Sequence, residues 1–310
     1  MANRLIVGCG YVGMLVASKW LSQGDSVFAV TRSLARVNEL TKKGIQPLVW
    51  NWLDEVLPST DILLQTTFGA ERPSNFATIL ISVSHASQTN VPHHESHTRG
   101  LNHLECLLKS IGCGDRGNQG TIPTQWIYIS TTGVYGHASA GSWVDEDSEV
   151  CPERPSSIAA WEGEQWMATH VAEGNRVTLR CAGIYGPDRV PKWQSIRDQI
   201  PLQVDPESYL NLIHVNDLAA IISAVSSSRM QYGLYCVSDG QPVRRQDYYR
   251  FISELRNWPL PVFETRNPQE TTSSRSEGSK RVRNHRIKSE LAMPFEFPSY
   301  RIGLNSLFGK

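Results

Sequence analysis

Short hydrophobic runs alternate with longer segments of helical periodicity along most of this chain. The hydrophobic runs predict strands at 4–7, 26–30, 45–50, 77–83, 125–129, 176–181 and 233–238. Residues 14–22 and 98–110 place their apolar side chains on one face, which predicts helices. Strands that alternate with helices are typical of a parallel sheet covered on both faces. The predicted fold class is therefore α/β, a doubly wound parallel sheet of the Rossmann type with a small C-terminal lobe.

The pattern becomes less regular and richer in proline after residue 186. We expect a nucleotide-binding domain over 1–185, completed by 211–240. Residues 186–210 and 241–310 would then form the small lobe. The polar segments 112–122 and 264–280 are predicted loops, and the pattern leaves the apolar run 61–65 as either a strand or a loop.

A glycine motif, Gly8-Cys9-Gly10-Tyr11-Val12-Gly13, joins the first strand to the first helix. In a strand–turn–helix context the first glycine permits a tight turn, and the second lets the backbone approach a pyrophosphate. The third glycine allows close packing of helix on strand, while the helix N-terminus receives the phosphate charge. Because the motif stands between a predicted strand and a predicted helix, it indicates dinucleotide binding. Tyr11 and Val12 belong to the same predicted contact surface.

The second strand ends at Thr31-Arg32-Ser33, without a carboxylate. An acidic residue at this point would bind the ribose 2′-hydroxyl of NAD, whereas arginine accommodates the 2′-phosphate of NADP. Arg32 can offer a charge-assisted fork to phosphate, and Thr31 and Ser33 can add hydroxyl groups. The sequence therefore favours NADP(H) over NAD(H); the alternative is that Arg32 is only a solvated loop residue.

The bulk composition limits the range of partners. Lysine plus arginine and aspartate plus glutamate both number 30, which gives no general attraction to nucleic acid or to an anionic membrane. The six cysteines are scattered without a CxxC pair, which indicates a reducing compartment and no structural zinc. No stretch is long and apolar enough for a membrane span. We expect a cytoplasmic protein without a metal site.

Six motifs together resemble the extended and atypical short-chain dehydrogenase/reductases, the NAD-dependent epimerase/dehydratase superfamily. They are the glycine loop, RGLN at 99–102, YISTTGVYG at 128–136, RCAGIYGP at 180–187, LIHVNDLA at 212–219 and YCVSDG at 235–240. Their order covers nearly the whole chain. KRVRN at 280–284 with PSYR at 298–301 resembles the tail of a bacterial subgroup that is often labelled nucleoside-diphosphate-sugar epimerase-like.

This resemblance implies a catalytic threonine and a Tyr-x-x-x-Lys pair. Thr131 holds the position of the residue that hydrogen-bonds the substrate oxygen. Counting from the VYG motif, and back from Glu164, puts Ser156 at the tyrosine position and Ala160 at the lysine position. A serine hydroxyl is a far weaker acid than an assisted phenol, and alanine supplies no charge, so the usual proton relay is absent.

Three interpretations follow from the missing relay. The protein catalyses hydride transfer with another acid, for which Glu162, His85 and His137 are candidates. Alternatively, it binds the cofactor without chemistry, as a sensor, scaffold or assembly factor. The third, that another tyrosine takes the role, is disfavoured because Tyr128 precedes the motif on a strand and Tyr135 is the structural tyrosine of the family.

Several other residues stand near the predicted cofactor. Ser84 and His85 follow the fourth strand, where this fold passes the cofactor, and Ser130 ends the fifth. Ser156 remains a candidate catalytic residue by position, and Trp161 is expected to fill the space beside the missing lysine.

The remaining polar motifs are expected to be structural or solvated. His93, His94 and His97 are predicted to be exposed, His214 and Asp217 to be structural, and 145–147 to be a solvated turn. The basic run 280–288 is interpreted first as a solvated face. The alternative is that it lines a pocket with Tyr185, Arg189 and Asn211.

Taken together, these patterns predict an NADP(H)-dependent oxidoreductase or epimerase-like enzyme acting on a carbonyl or hydroxyl carbon. The resemblance suggests a small-molecule substrate, anionic or sugar-like, and a nucleotide sugar in particular. It also allows a homodimer, since relatives commonly dimerise through two helices.

Overall fold

The computed structural model describes residues 1–54, 73, 75–83, 91–113, 124–136, 141–264 and 279–309. Its strands are β1 (Asn3–Val7), β2 (Ser26–Thr31), β3 (Gln46–Val49), β4 (Thr78–Ile81), β5 (Gln125–Thr131), β6 (Ser142–Val144), β7 (Arg176–Cys181), β8 (Gly183–Tyr185), β9 (Tyr209–Leu210), β10 (Leu212–His214), β11 (Leu234–Val237), β12 (Val243–Arg244) and β13 (Lys280–Val282). Its helices are α1 (Tyr11–Ser22), α2 (Val37–Lys42), α3 (Ser96–Ser110), α4 (Pro155–His170), α5 (Trp193–Arg197), α6 (Val215–Val225), α7 (Arg245–Arg256), α8 (His285–Leu291) and α9 (Tyr300–Phe308).

Seven strands form the main sheet, in the order β11-β7-β5-β4-β1-β2-β3. β1 pairs in parallel with both β2 and β4, and the pairs β2–β3 and β4–β5 are parallel as well. The strand order reverses at β1, where the chain turns from building one half of the sheet to building the other. The predicted doubly wound α/β fold is confirmed, and each predicted strand of this sheet is present with its ends shifted by a few residues.

The pattern of buried side chains explains why these segments form strands and helices. Leu5, Ile6 and Val7 are almost fully buried, as expected for a central parallel strand with both faces covered. On α3, Leu101, Leu104, Leu107 and Leu108 form one buried face. Gly100 on the same helix permits close packing, because a Cβ there would lie 2.4 Å from the Trp52 ring.

The chain divides into two compact units. The first contains Met1–Ser130, Ile158–Leu179 and Ala219–Leu234, and one core of aliphatic and aromatic residues lies within it. The second contains Thr131–Ser157, Arg180–Leu218 and Tyr235–Lys310, and has a core of its own built around Tyr185, Tyr248 and Tyr249. The domain bounds expected from the sequence, 1–185 with 211–240, stay a prediction.

Some predicted features lie outside the described residues. These are the apolar run 61–65, most of the predicted loops 112–122 and 264–280, and the candidates Ser84, His85 and His137. Of the helices that the structure describes, none has the combined length and apolarity that crossing a membrane requires.

Candidate functional site

The glycine loop connects β1 to α1 through a turn that only glycine accommodates at its first position. Gly8 has a φ of +91°, and a Cβ on it would lie 2.5 Å from the backbone oxygen of Ser82 at the end of β4. Gly13 packs α1 on this turn, since its Cβ would lie 2.8 Å from the Gly8 oxygen. A Cβ at Gly10, in contrast, would meet nothing within 4 Å. The first and third glycines therefore fix the turn, while the second leaves open space in front of it.

The N-terminus of α1 fits a phosphate group. Gly10 caps this helix without a side-chain hydrogen bond, and the first turn contains no acidic residue. The first backbone N–H groups of a helix have no partner within the helix, and the helix dipole favours a negative charge there. Tyr11 is half-buried, whereas Val12 and Gly13 are buried. The open space at Gly10 and this uncapped N-terminus together suit a dinucleotide pyrophosphate.

The end of β2 carries the residues predicted to select the cofactor. Thr31 is buried and its hydroxyl accepts a hydrogen bond from the Ser33 N–H at 3.3 Å, whereas Arg32 is exposed. A second arginine, Arg36, follows in a 3₁₀ turn and donates to the backbone oxygen of Cys9 in the glycine loop, at 2.7 Å. Sequence reasoning missed Arg36, although its spacing of four residues from Arg32 was an available signal.

The thiol in this loop is buried. Burial raises the pKa of Cys9 to about 11, so the thiol stays protonated at neutral pH. Its sulfur lies 3.3 Å from the Met14 sulfur.

A buried polar network attaches α4 to β5 in the first unit. Ser130, predicted to contact the cofactor, is buried and donates to the Glu164 carboxylate. Tyr128 donates to the Ala160 backbone oxygen at 3.2 Å, and its hydroxyl also lies 2.5 Å from Nδ1 of His97. Burial raises the pKa of Tyr128 well above its usual range, so this phenol is a structural hydrogen-bonding group. The expectation that His97 is exposed is wrong, because its ring is buried against the Tyr128 hydroxyl and the Trp52 ring.

Thr131 opens the turn that contains the VYG motif, in the second unit. Its hydroxyl oxygen accepts a hydrogen bond from the Gly133 N–H at 3.0 Å and caps the 3₁₀ helix Thr132–Tyr135. The Ser157 hydroxyl is buried close by, since a Cβ at Gly133 would lie 2.6 Å from its oxygen. Sequence reasoning did not single out Ser157.

The two positions of the expected proton relay lie on α4. Ser156 is exposed in the first turn of this helix. Ala160, one turn later, is 4% exposed, and its backbone oxygen is the one bound by Tyr128. Trp161 and Glu162 are both half-buried.

His214 and Asp217 have structural contacts in the second unit, as predicted. The His214 ring packs on Tyr185 and Phe297, and burial lowers its pKa to about 4, so the ring is neutral. The Asp217 carboxylate accepts the backbone N–H groups of Glu296 and Phe297 at 2.8 and 3.0 Å. These contacts attach the C-terminal segment to the start of α6.

Two predictions of solvated polar segments are wrong in part. Within 145–147, Glu146 is buried and accepts the Cys236 N–H at 2.7 Å. Within 280–288, Lys280 is buried, whereas Arg283 and Lys288 are exposed. Of the alternative pocket residues, Tyr185 is fully buried, and the Asn211 amide is bonded to the β13 backbone. In the described ranges, no three histidine, cysteine or carboxylate side chains are grouped as metal ligands would be.

A search of protein-family models finds none that matches this chain. Among curated proteins, a dTDP-glucose 4,6-dehydratase of Streptomyces griseus is 27% identical over 139 residues, which is 42% of this chain and 42% of that protein. One of Streptomyces niveus is 30% identical over 113 residues, 33% of each chain. The chain thus spans well under two thirds of the length of the curated relatives it matches.

Solved structures match over nearly the whole chain. A conserved protein of unknown function from Silicibacter pomeroyi is 26% identical with a TM-score of 0.75, covering 99% of this chain and 98% of that one. An NAD-dependent epimerase/dehydratase described as putative, from Methylobacillus flagellatus, is 22% identical with a TM-score of 0.69, covering 99% and 97%. A UDP-glucose 4-epimerase from Thermotoga maritima, solved with UDP-glucose, is 17% identical with a TM-score of 0.73 and the same coverage.

The resemblance to the NAD-dependent epimerase/dehydratase superfamily is confirmed by these matches. It is a likeness of fold over the whole chain, with sequence similarity to curated dehydratases over part of it.

Proposed function

We propose that this protein binds NADP(H) in preference to NAD(H) and uses it in an oxidoreductase or epimerase-like reaction at a carbonyl or hydroxyl carbon. The observation that carries this proposal is the glycine loop, with its uncapped helix N-terminus and the Arg36 guanidinium donating to the Cys9 oxygen. We further propose that the chain belongs to the atypical subgroup of this superfamily and acts without the usual tyrosine–lysine pair.

Two arginines support the preference for NADP(H). Arg32 is exposed directly after β2, the strand whose end meets the adenosine ribose in this fold, and Arg36 donates to the glycine loop. A 2′-phosphate would gain charge-assisted hydrogen bonds from them, which a 2′-hydroxyl cannot match. Solved proteins of similar fold are bound to NAD. A preference for NADP(H) must therefore come from residues particular to this chain, and we assign it to Arg32 and Arg36.

Thr131 suits the role of orienting the substrate oxygen. A hydroxyl group has one donor and two acceptor sites. Because the Thr131 oxygen already accepts the Gly133 N–H, its own proton remains able to donate to a carbonyl or alkoxide oxygen of a substrate. Bound nicotinamide would supply or accept the hydride. Of the three candidate acids, Glu162 is the one that lies within the described residues, half-buried on α4, and we assign to it the proton donation that the phenol would otherwise perform.

A nucleotide sugar is the substrate class that we propose. The partial sequence matches are to dTDP-glucose 4,6-dehydratases, and similar folds are solved with UDP-glucose or UDP-glucuronic acid. We also propose a homodimer in solution, by analogy with relatives.

A second candidate function is a non-catalytic protein that responds to NADP(H). It is favoured by the exposed Ser156 and the buried Ala160, because neither side chain can perform the acid–base role of the pair that it replaces. Such a protein would bind the cofactor and change its stability or its partners without turnover.

Cofactor binding is tested first by titrating the protein with NADPH and NADH and following tryptophan quenching and thermal stability. We expect tighter binding of NADPH, and we expect Arg32→Ala and Arg36→Ala each to weaken it by about 10- to 100-fold, the equivalent of about 1.5–3 kcal/mol for a charged hydrogen bond. Arg229→Ala, at another exposed arginine, should have no effect. Equal affinity for both cofactors in the unmodified protein would refute the proposed preference.

Catalysis is tested by exchange of deuterium from labelled NADPH into a panel of nucleotide sugars, including UDP-glucose and dTDP-glucose, with NADP⁺ also present. The NADP⁺ must first oxidise a sugar alcohol to the ketone that then accepts deuteride from the labelled NADPH. An enzyme should exchange the label, lose exchange with Thr131→Ala, and retain part of it with Thr131→Ser, which keeps the hydroxyl. Cofactor binding without exchange on any member of the panel would favour the non-catalytic protein.

A further inference from the structure

Ser157 is a buried serine whose hydroxyl group has no hydrogen-bond partner in the described part of the chain. It lies in the first turn of α4 with 3% of its surface exposed, and its backbone N–H donates to the Arg154 oxygen at 2.8 Å. A buried polar group without a partner costs free energy, so such a group in a folded protein calls for an explanation. The Ser157 oxygen does not belong to the unpartnered atoms that are fully enclosed, so it keeps contact with solvent.

The Ser157 hydroxyl and the Thr131 side chain lie against the same point of the VYG turn. A Cβ on Gly133 would stand 2.6 Å from the Ser157 oxygen and 3.2 Å from the Thr131 oxygen. Because both distances start from one point, the two oxygens lie within about 6 Å of each other, a gap that one acceptor atom at hydrogen-bond distance from each can bridge. Glycine at position 133 leaves room for this arrangement, since a larger residue would push the Ser157 hydroxyl away.

Both hydroxyl groups are able to donate to such an acceptor. The Thr131 oxygen accepts the Gly133 N–H at 3.0 Å, which leaves its own proton available. Among the described residues, no group accepts the Ser157 proton, and the two hydroxyls form no hydrogen bond with each other. Two neighbouring donors without acceptors suit the stabilisation of an oxyanion.

The place of Ser157 along the chain differs from the expected one. Counting along the sequence puts Ser156 at the tyrosine position of the family, but Ser156 is exposed in the first turn of α4. Its neighbour Ser157 is buried against the VYG turn. The serine that the structure brings to Thr131 therefore comes one residue later than the one that the resemblance indicates.

We propose that the hydroxyls of Thr131 and Ser157 together bind the reacting oxygen of the substrate, which makes Ser157 a second catalytic residue. The inference rests on the proposed function, since it completes the group that holds the oxygen in that reaction. Two neutral donors would then stand where the usual enzymes of this superfamily use one hydroxyl and an acidic phenol.

The chemistry asks of this pair only that it stabilise charge. When a hydride adds to a carbonyl carbon, a C–H bond forms, the π electron pair of the C=O bond moves to the oxygen, and NADPH is oxidised to NADP⁺. The two hydroxyls donate to the resulting alkoxide and keep their own protons. The proton that completes the alcohol comes from the acid already proposed, Glu162.

The test is the deuterium exchange assay on nucleotide sugars, run with Ser157→Ala over a series of sugar concentrations. Removal of one donor to a developing oxyanion lowers kcat by about 100-fold or more. We therefore expect kcat to fall by about 100-fold with little change in KM, because the alkoxide exists only once the hydride has been transferred.

Ser253→Ala is the matched control. Ser253 lies on α7, is fully buried, and its hydroxyl has no partner among the described residues either. In thermal unfolding without ligand, neither alanine variant should be less stable than the unmodified protein, because each removes an unpartnered buried hydroxyl. In the exchange assay, Ser253→Ala should match the unmodified protein.

The outcomes separate this inference from the proposed function. A kcat of Ser157→Ala equal to that of the unmodified protein would overturn the inference alone. A loss of exchange that Ser253→Ala shares, or that comes with a lower unfolding temperature of Ser157→Ala, would also overturn it, since both indicate a packing role. Absence of exchange in the unmodified protein with every sugar of the panel would overturn the proposed function, and this inference with it.

Discussion

The Asp239 carboxyl group provides a sharp test of how burial controls the stability of the second unit. Asp239 is 1% exposed. Its Oδ1 accepts the Gln241 N–H at 2.8 Å, while Oδ2 is buried and has no hydrogen-bond partner among the described residues. The substitution Asp239→Asn keeps the oxygen that accepts the Gln241 N–H and removes the charge.

The size of the expected effect follows from the pKa of this carboxyl. Burial raises it from 3.8 to about 7, against the opposing effects of the Gln241 hydrogen bond and the Lys288 charge. The folded protein therefore holds this proton more tightly than the unfolded chain, so ionisation destabilises the fold as pH rises from the ordinary pKa towards 7 and above. A shift of about three units is worth about 4 kcal/mol in full, of which about 3 kcal/mol develops between pH 5 and pH 8.

The assay is urea unfolding of the unmodified protein and of Asp239→Asn at pH 5 and pH 8. Relative to the unmodified protein, we expect the variant to gain about 3 kcal/mol of unfolding free energy on going from pH 5 to pH 8. Asp217→Asn is the control, because both oxygens of Asp217 accept backbone N–H groups and an amide nitrogen cannot. That variant should be less stable at both pH values. Parallel pH dependence of the unmodified protein and Asp239→Asn would refute the assignment.

Three further substitutions test the first unit and the missing relay. Gly8→Ala should lose more than about 2 kcal/mol and should abolish NADPH quenching, because a Cβ at a positive φ would strike the Ser82 oxygen; chemical unfolding and cofactor titration measure both effects. Tyr128→Phe should cost about 1–3 kcal/mol in chemical unfolding, since it leaves buried partners without their hydrogen bonds. Ser156→Tyr combined with Ala160→Lys should create no turnover in the deuterium exchange assay, because a lysine would be forced into a closely packed position that is 4% exposed. Robust turnover of a nucleotide sugar by this double variant would contradict the described packing.

The fold could be predicted from the sequence because its signals are local. Runs such as Leu5–Val7 and the leucine face of α3 each reveal an element by its own periodicity, and alternation of such elements restricts the sheet to a parallel, doubly wound form. The glycine loop was predictable for the same reason, since its three glycines, a strand and a helix follow one another directly along the chain.

Long-range contacts were not predictable in the same way. His97 lies in a polar segment, which predicts that it is exposed. It is nevertheless buried against the hydroxyl of a tyrosine that lies 31 residues later along the chain. Glu146 likewise sits between two aspartates but accepts a backbone N–H of β11, 90 residues away. In each case burial is decided by a partner that hydrophobic periodicity does not reveal.

Lys280 shows why the same limit affects the candidate site. Along the sequence it is one of several cations near the C-terminus, and charge runs are usually solvated. Pairing of β13 with β6, which aligns Lys280 with Ser142, carries this lysine into the interior of the second unit. Arg281, the next residue, points to the other side of the strand and stacks on Trp143 and Tyr209. Strand alternation therefore separates the buried Lys280 from its more accessible neighbour on the same strand, Arg281.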